Sequence, residues 1–330
     1  MANGLGLNHV SSLYPCAWCL CNTLSPEHEH GAVWDDTPKP WRDFTAGALW
    51  RETIWACMLR WFRSVSDGVH DLWWLPGLSL ANLFADPMHT LDLGVNHYFL
   101  GSILWLLCFT DKYVEGATPA QRCEDVWGRI ARQYAGRGTT SQLSTLELKF
   151  FVSDIKAPRQ GRVCMSSRVK AAECRHLVPI VLMIWEDVMD HASLFDTHVL
   201  LALRAMTTIY QQIDECDTYR FTDAALAKWQ AAIDEFISNY DILNTAVQAN
   251  DPHLFHFTIK LHVVEHLKAQ AEVQSPQWSW CYMDEDFMQV CKKLYNSCAC
   301  GTPTQRVVMA MLLKWEAGFL LRSIFAQRGD

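Results

Sequence analysis

Four residues of this chain have the types and spacing of a metal site. His262 and His266 stand four apart in Leu254-Phe-His-Phe-Thr-Ile-Lys-Leu-His-Val-Val-Glu-His266, and a helix stacks residues four apart on one face. Two imidazoles placed that way are two ligands for one ion. Cys16 and Cys19, in Cys-Ala-Trp-Cys, supply two thiolates at zinc-knuckle spacing. Together the four are expected to form a tetrahedral Zn²⁺ site that ties the first twenty residues to the last third of the chain. A local alternative stays open, because His28 and His30 follow closely enough to close a site with Cys16 and Cys19. In that case His262 and His266 are ordinary helix-face or core histidines.

Other polar groups have weaker claims. Asp86, His89 and Asp92 fall within seven residues, in Asp-Pro-Met-His-Thr-Leu-Asp. His89 and Asp92 are one turn apart and are candidates for polar groups aimed into a site. Asp86 before Pro87 has a sufficient structural account as the N-cap of a helix whose first residue is proline. Lys156, Arg159, Arg162, Arg168 and Lys170 form a basic run with no acid after Asp154. Such a run is either a phosphate-contacting segment or a solvated linker. Direct hydrolysis by the histidine pair is discounted, since His262-Val-Val-Glu-His266 lacks the Glu immediately after the first His that a zincin requires.

These residues need a scaffold, and the sequence supplies a helical one. Half of the 330 residues are apolar, enough for a large core without disulfides. The thirteen cysteines are odd in number and scattered, and Met1-Ala-Asn-Gly-Leu opens no secretory leader. Most thiols are therefore expected free in a reducing, nuclear or cytoplasmic compartment. The apolar run 98–110 is too short for a bilayer and is expected to be a buried helix, so no membrane partner is expected. A net charge of −8 excludes a surface that is basic throughout and confines any DNA contact to the local basic loop.

Apolar residues recur at helical spacing over 41–65, 121–134, 171–191, 193–216 and 222–244, with no competing strand alternation. Gly136-Arg-Gly-Thr-Thr interrupts the pattern, and an apolar pattern resumes over 143–152. A helix from Met283 would put Met283, Phe287, Cys291 and Leu294 on one buried stripe and leave Glu285 off it. The expected class is mainly α. Its expected divisions are a knuckle and loop over 1–40, a helical domain over 41–250, and the histidine pair with C-terminal helices over 251–330.

The order of short motifs carries a resemblance. Cys16-x-x-Cys19, then Asp86-x-Met-His89, then Lys170-Ala-Ala-Glu-Cys-Arg-His-Leu-Val-Pro179, then His262-x-x-x-His266 and Trp280-x-Tyr-x-x-Glu285 resemble the transposase of CACTA-type (En/Spm-like) DNA elements. The likeness spans most of the chain, from Cys16 to about Asn296. It implies a cut-and-paste transposase with an RNase H-like core, in which three acids hold two Mg²⁺ or Mn²⁺ ions for in-line attack on phosphodiesters. The V(D)J recombinase is similar to this family in joining a Cys-x-x-Cys after the second catalytic aspartate to two histidines before the catalytic glutamate. Carried over residue by residue, Cys16, Cys19, His262 and His266 match the structural zinc ligands. Glu285, nineteen residues after His266, matches the third metal-binding acid, with Asp284 and Asp286 beside it.

One departure matters. In the family both catalytic aspartates precede the Cys-x-x-Cys, whereas residues 1–15 contain no Asp or Glu. The resemblance then implies a truncated or degenerate transposase: a helical insertion plus the C-terminal remnant of the core. Such a chain is expected to be inactive alone, to hold Mg²⁺ or Mn²⁺ only when the full catalytic core is present, and to have that missing core or a second copy of itself as a partner. The competing reading is a zinc-stabilised helical module that binds DNA or protein.

Overall fold

The computed structural model describes residues 84–328 apart from Arg137, Thr139, Thr140, Cys300 and Thr302. The Cys16–Cys19 pair, His28, His30 and the helical pattern over 41–65 lie outside the described residues. Among those described the architecture is helical, with no strand. Contacts divide the chain between Ser279 and Trp280 into two compact units.

Among the described residues, the first unit opens on a π-helical segment, Met88–Val95, that runs directly into α1, Asn96–Phe109. Asp86 caps it as the sequence suggests: its carboxylate accepts from the backbone N–H of Met88 at 3.0 Å and of His89 at 3.3 Å. The apolar run is therefore part of a longer helix than hydropathy alone implies. Met88–Phe109 is 22 residues, long and apolar enough by length and composition to cross a membrane, and its most apolar stretch is 89% buried inside the fold. Helix α1 has apolar residues on every side because other helices surround it.

Four helices pack around this centre. They are α2 (Pro119–Ala135), α3 (Ala171–Val188), α4 (Leu194–Glu215) and α5 (Asp223–Val247). Three start on side-chain caps that satisfy otherwise orphaned N–H groups: Thr118 to Gln121, Ser193 to Asp196, and Thr222 to Ala225. The helices α4 and α5 form the most extensive pair, and Phe99, Trp185, Trp229, Phe236 and Tyr240 are all fully buried. Each such side chain contributes roughly 1.5–3 kcal/mol by leaving water. Residues 143–152 do not continue as a helix. Leu143, Leu146, Leu148, Phe151 and Val152 are buried, but only a 3₁₀ turn, Leu148–Phe150, is regular, so this segment buries its apolar side chains as a loop.

The chain reaches α6, Ile259–Gln270, through a tight turn. Phe255 sits there at φ 45°, a left-handed conformation that costs a non-glycine residue about 1–2 kcal/mol. Its N–H donates to Ser102 Oγ at 2.8 Å, its carbonyl accepts from Asn244 Nδ2 at 3.0 Å, and its ring packs edge-on to Tyr240. These contacts hold the strained backbone and set where α6 begins. A 3₁₀ turn, Pro276–Ser279, closes the unit.

The second unit is a hairpin of α7, Tyr282–Ala299, and α8, Thr304–Arg328, with Gly301 at φ 72° in the turn. Here the expected stripe on α7 is corrected. Phe287 meets Trp315 edge-on at 5.6 Å yet remains 52% exposed, and Cys291 and Leu294 are only partly covered. Two helices alone cannot enclose a stripe that a third layer would cover.

Candidate metal centre and basic surface

Helix α6 delivers the histidine pair as the four-residue spacing requires. His262 and His266 are 1% and 2% exposed, and their Nε2 atoms are 3.1 Å apart, the rings edge-on at 4.8 Å. Two imidazoles bound to one tetrahedral zinc at about 2.0–2.1 Å place their nitrogens about 3.3–3.4 Å apart. The observed separation is therefore close to that of a chelating pair, and the donor set fits the ion. The same separation fits an Nε2–H···Nε2 hydrogen bond between two neutral imidazoles. Cys16 and Cys19, the proposed thiolates, lie outside the described residues.

The segment containing Asp86, His89 and Asp92 is laid against α6. The backbone N–H of Ala85 donates to Gln270 Oε1 at 2.8 Å. At Gly94 an added Cβ would lie 2.8 Å from the His89 carbonyl oxygen of its own segment and 3.1 Å from the Lys260 side chain of α6, so a larger residue would force that turn or its packing on α6 to shift. Burial lowers the pKa of the Lys260 ammonium, and the Asp86 charge partly restores it. The structure separates the three candidate acids and bases. His89 Nδ1 contacts the Asp86 carboxylate at the partly open helix start, where His89 is 43% exposed.

Asp92 instead faces the interior and is 0% exposed. It accepts from the Tyr210 hydroxyl, which in turn accepts from Asn96 Nδ2 at 2.5 Å. Burial first, and then the Asp92 charge, push the Cys174 thiol well above its ordinary value. The segments 86–92 and 170–179 thus pack together. Beyond them, Arg175 stacks over the Tyr210 ring at 5.2 Å and pairs with Asp214. Arg175, His176, Pro179 and Tyr210 line a groove of about 330 Å³.

Glu285 lies on α7 of the second unit. The basic residues Lys156, Arg159, Arg162, Arg168 and Lys170 are all exposed. Arg159 pairs with Asp251 at 3.3 Å, and Lys170 contributes its backbone N–H to the Glu173 carboxylate at the start of α3. The loop is anchored from beneath: Val163 N–H donates to the His253 carbonyl at 3.0 Å and Met165 N–H to the His97 carbonyl at 2.8 Å. Gly101 permits this approach, since a Cβ there would come within 2.8 Å of the Cys164 Cα.

Three groups stand out only in the structure. The Asp196 carboxylate is 0% exposed and gathers Tyr113 Oη at 2.9 Å, Lys112 Nζ at 3.2 Å, Ser193 Oγ at 3.1 Å and the Asp190 N–H at 3.0 Å. In sequence it is one more acid in a first turn. Tyr210 reads as a core aromatic, and His256 as part of an apolar run. Long-range contacts give all three their significance, and no local pattern encodes those.

No protein-family model, no curated protein and no solved structure matches the chain.

Proposed function

We propose that this chain is a zinc-supported helical module of a cut-and-paste DNA transposase, contacting DNA through the 156–170 loop. The observation that carries the reading is the buried His262–His266 pair, with two Nε2 atoms at nearly the spacing of a chelated tetrahedral ion. Cys16, Cys19, His262 and His266 would hold Zn²⁺. Its contribution is structural: four protein ligands close the coordination sphere and tie distant segments together. The order of motifs supports the transposase assignment. An RNase H-like remnant and a role for Glu285 as a carboxylate ligand to Mg²⁺ or Mn²⁺ belong to the same proposal. One carboxylate offers a single ion few of its ligands, so that role requires further acids.

The loop supports the DNA contact by its exposure and its backbone anchoring. Such contacts are expected to be weak, indifferent to sequence and steeply salt-dependent. The test combines both parts. Purified chain should contain one zinc, and Cys16→Ser and His266→Ala should each lose metal and stability. Charge reversal at Arg159, Arg162 and Arg168 should weaken binding to a duplex and flatten its salt dependence. If His28→Ala or His30→Ala abolishes zinc binding while His262→Ala does not, the site is local and the long-range reading fails. Unchanged DNA binding in the charge-reversal variant would remove the loop.

The second reading is a zinc-stabilised module that binds DNA or protein with no part in transposition. The favouring observation is that His262 and His266 belong to the larger helical unit, whereas Glu285 lies in the other. Mn²⁺-dependent nicking that depends on Glu285 in a complete core separates the two.

A further inference from the structure

One basic residue of the loop differs from the other four. Arg162 comes from the loop, Tyr98 from α1 and His256 from the turn before α6, and the three meet at one place on the first unit. The backbone bonds of Val163 to His253 and of Met165 to His97 set Arg162 beside both segments, its charge acts on the Tyr98 phenol and the His256 imidazole, and the Tyr98 and His256 rings lie 6.1 Å apart, tilted at 47°. All three supports are fixed. Arg162 is followed by Val163, whose N–H is tied to His253, and closely by Met165, tied to His97. The His256 carbonyl accepts from Tyr240 Oη at 3.0 Å.

The electrostatics are one-sided. Burial, then the Arg162 charge, bring His256 down to about 4, so the ring is neutral and keeps one N–H donor. Burial, then the Cys164 thiol, push the Tyr98 phenol up against the opposing pull of Arg162, so it too keeps its proton. A cation and two neutral rings that keep donor protons are thus gathered, and among the described residues Arg162 forms no salt bridge. Arg159, by contrast, already has Asp251.

We propose that Arg162, Tyr98 and His256 form a docking point for one phosphodiester of the DNA backbone. The guanidinium would bind the phosphate oxygens through paired N–H groups, with the phenol and imidazole donating to the remaining lone pairs. This rests on the DNA-contacting reading above and deepens it: the loop's other cations supply diffuse attraction, and this cluster supplies a fixed contact that sets register.

The test uses the full chain and a fluorescent DNA duplex, read by anisotropy across a salt series. Arg162→Gln should weaken binding about tenfold and lower the salt slope by about one phosphate contact. Tyr98→Phe and His256→Phe should weaken it about threefold with the slope unchanged. A reference variant, Lys156→Gln, should lower the slope without sensitivity to the two rings. Arg162 is exposed, and an unchanged circular dichroism melt will confirm that its variant folds.

If charge reversal of the whole loop abolishes binding while Arg162→Gln binds as wild type does, the docking point is wrong and the loop reading stands. If the wild-type chain binds no duplex, the DNA reading fails, and dimethyl phosphate then decides the cluster. Its titration should shift the His256 ring resonances in wild type and not in Arg162→Gln. Absence of that shift would overturn the docking point.

Discussion

At the scale of single residues, several buried polar groups of the first unit draw their partners from distant parts of the chain. Asp196 gathers three side chains and a backbone N–H around one inaccessible carboxylate. Asp196→Ala would strand the buried Tyr113 hydroxyl and leave the Asp190 N–H and the Ser193 hydroxyl without their acceptor. It is expected to lose about 3–5 kcal/mol of stability in urea denaturation. His97 gives a pH-dependent counterpart. Desolvation brings it from an ordinary 6.5 to about 4, against the opposing effect of its bond to the Met165 backbone. The unfolded chain therefore binds this proton more tightly than the folded one. Stability from a neutral His97 is complete above pH 6.5 and lost as pH falls toward 4, a loss of about 3 kcal/mol. In His97→Gln the decline of unfolding free energy over that window should be smaller by about this amount; an unchanged decline would place the acid sensitivity elsewhere. The spacing of His262 and His266 made their pairing legible in the sequence. The burial that sets the properties of His97 and Asp196 was not, because it depends on helices far away in the chain.

At the scale of elements, helical periodicity located the main body well. The patterns over 121–134, 171–191, 193–216 and 222–244 correspond to α2, α3, α4 and α5 within a few residues, because each has a strong apolar face and three begin on a Ser or Thr cap. Periodicity did not reveal the π-helical start of the central helix. Its wider turn appears in backbone hydrogen bonding, such as Asn96 N–H to the Leu91 carbonyl, and leaves little trace in which positions are apolar. It also did not reveal that Gly101 is a contact point. A Cβ there would meet backbone atoms of Cys164 and Met165 at 2.8–3.0 Å, and backbone cannot move aside as a side-chain tip can. Gly101→Ala should therefore cost about 1–3 kcal/mol in thermal or chemical denaturation. It should also raise amide hydrogen exchange at Val163 and Met165, whose bonds hold the loop in place. Normal protection there would mean that the loop does not depend on its seat against α1. The exposed stripe on α7 shows the reverse limit: apolar spacing marks a face that can be buried, and only a covering layer buries it.

At the scale of the whole molecule, the proposed zinc would join segments far apart in sequence. A ligand that binds only the folded state adds its binding free energy to folding, so chelation should lower the melting temperature of the full chain, and re-addition of Zn²⁺ should restore it. Failure of zinc to restore the transition would detach the metal from the fold. The most direct measurement is zinc K-edge X-ray absorption on the purified full chain, paired with metal content in His266→Ala. The account predicts one zinc per chain, with two nitrogen scatterers at about 2.0–2.1 Å and two sulfurs at about 2.3 Å, and loss of the ion in the variant. A chain that binds no zinc, or one whose zinc and first shell survive His266→Ala unchanged, would contradict it. The close Nε2 pair would then be a hydrogen bond between neutral histidines.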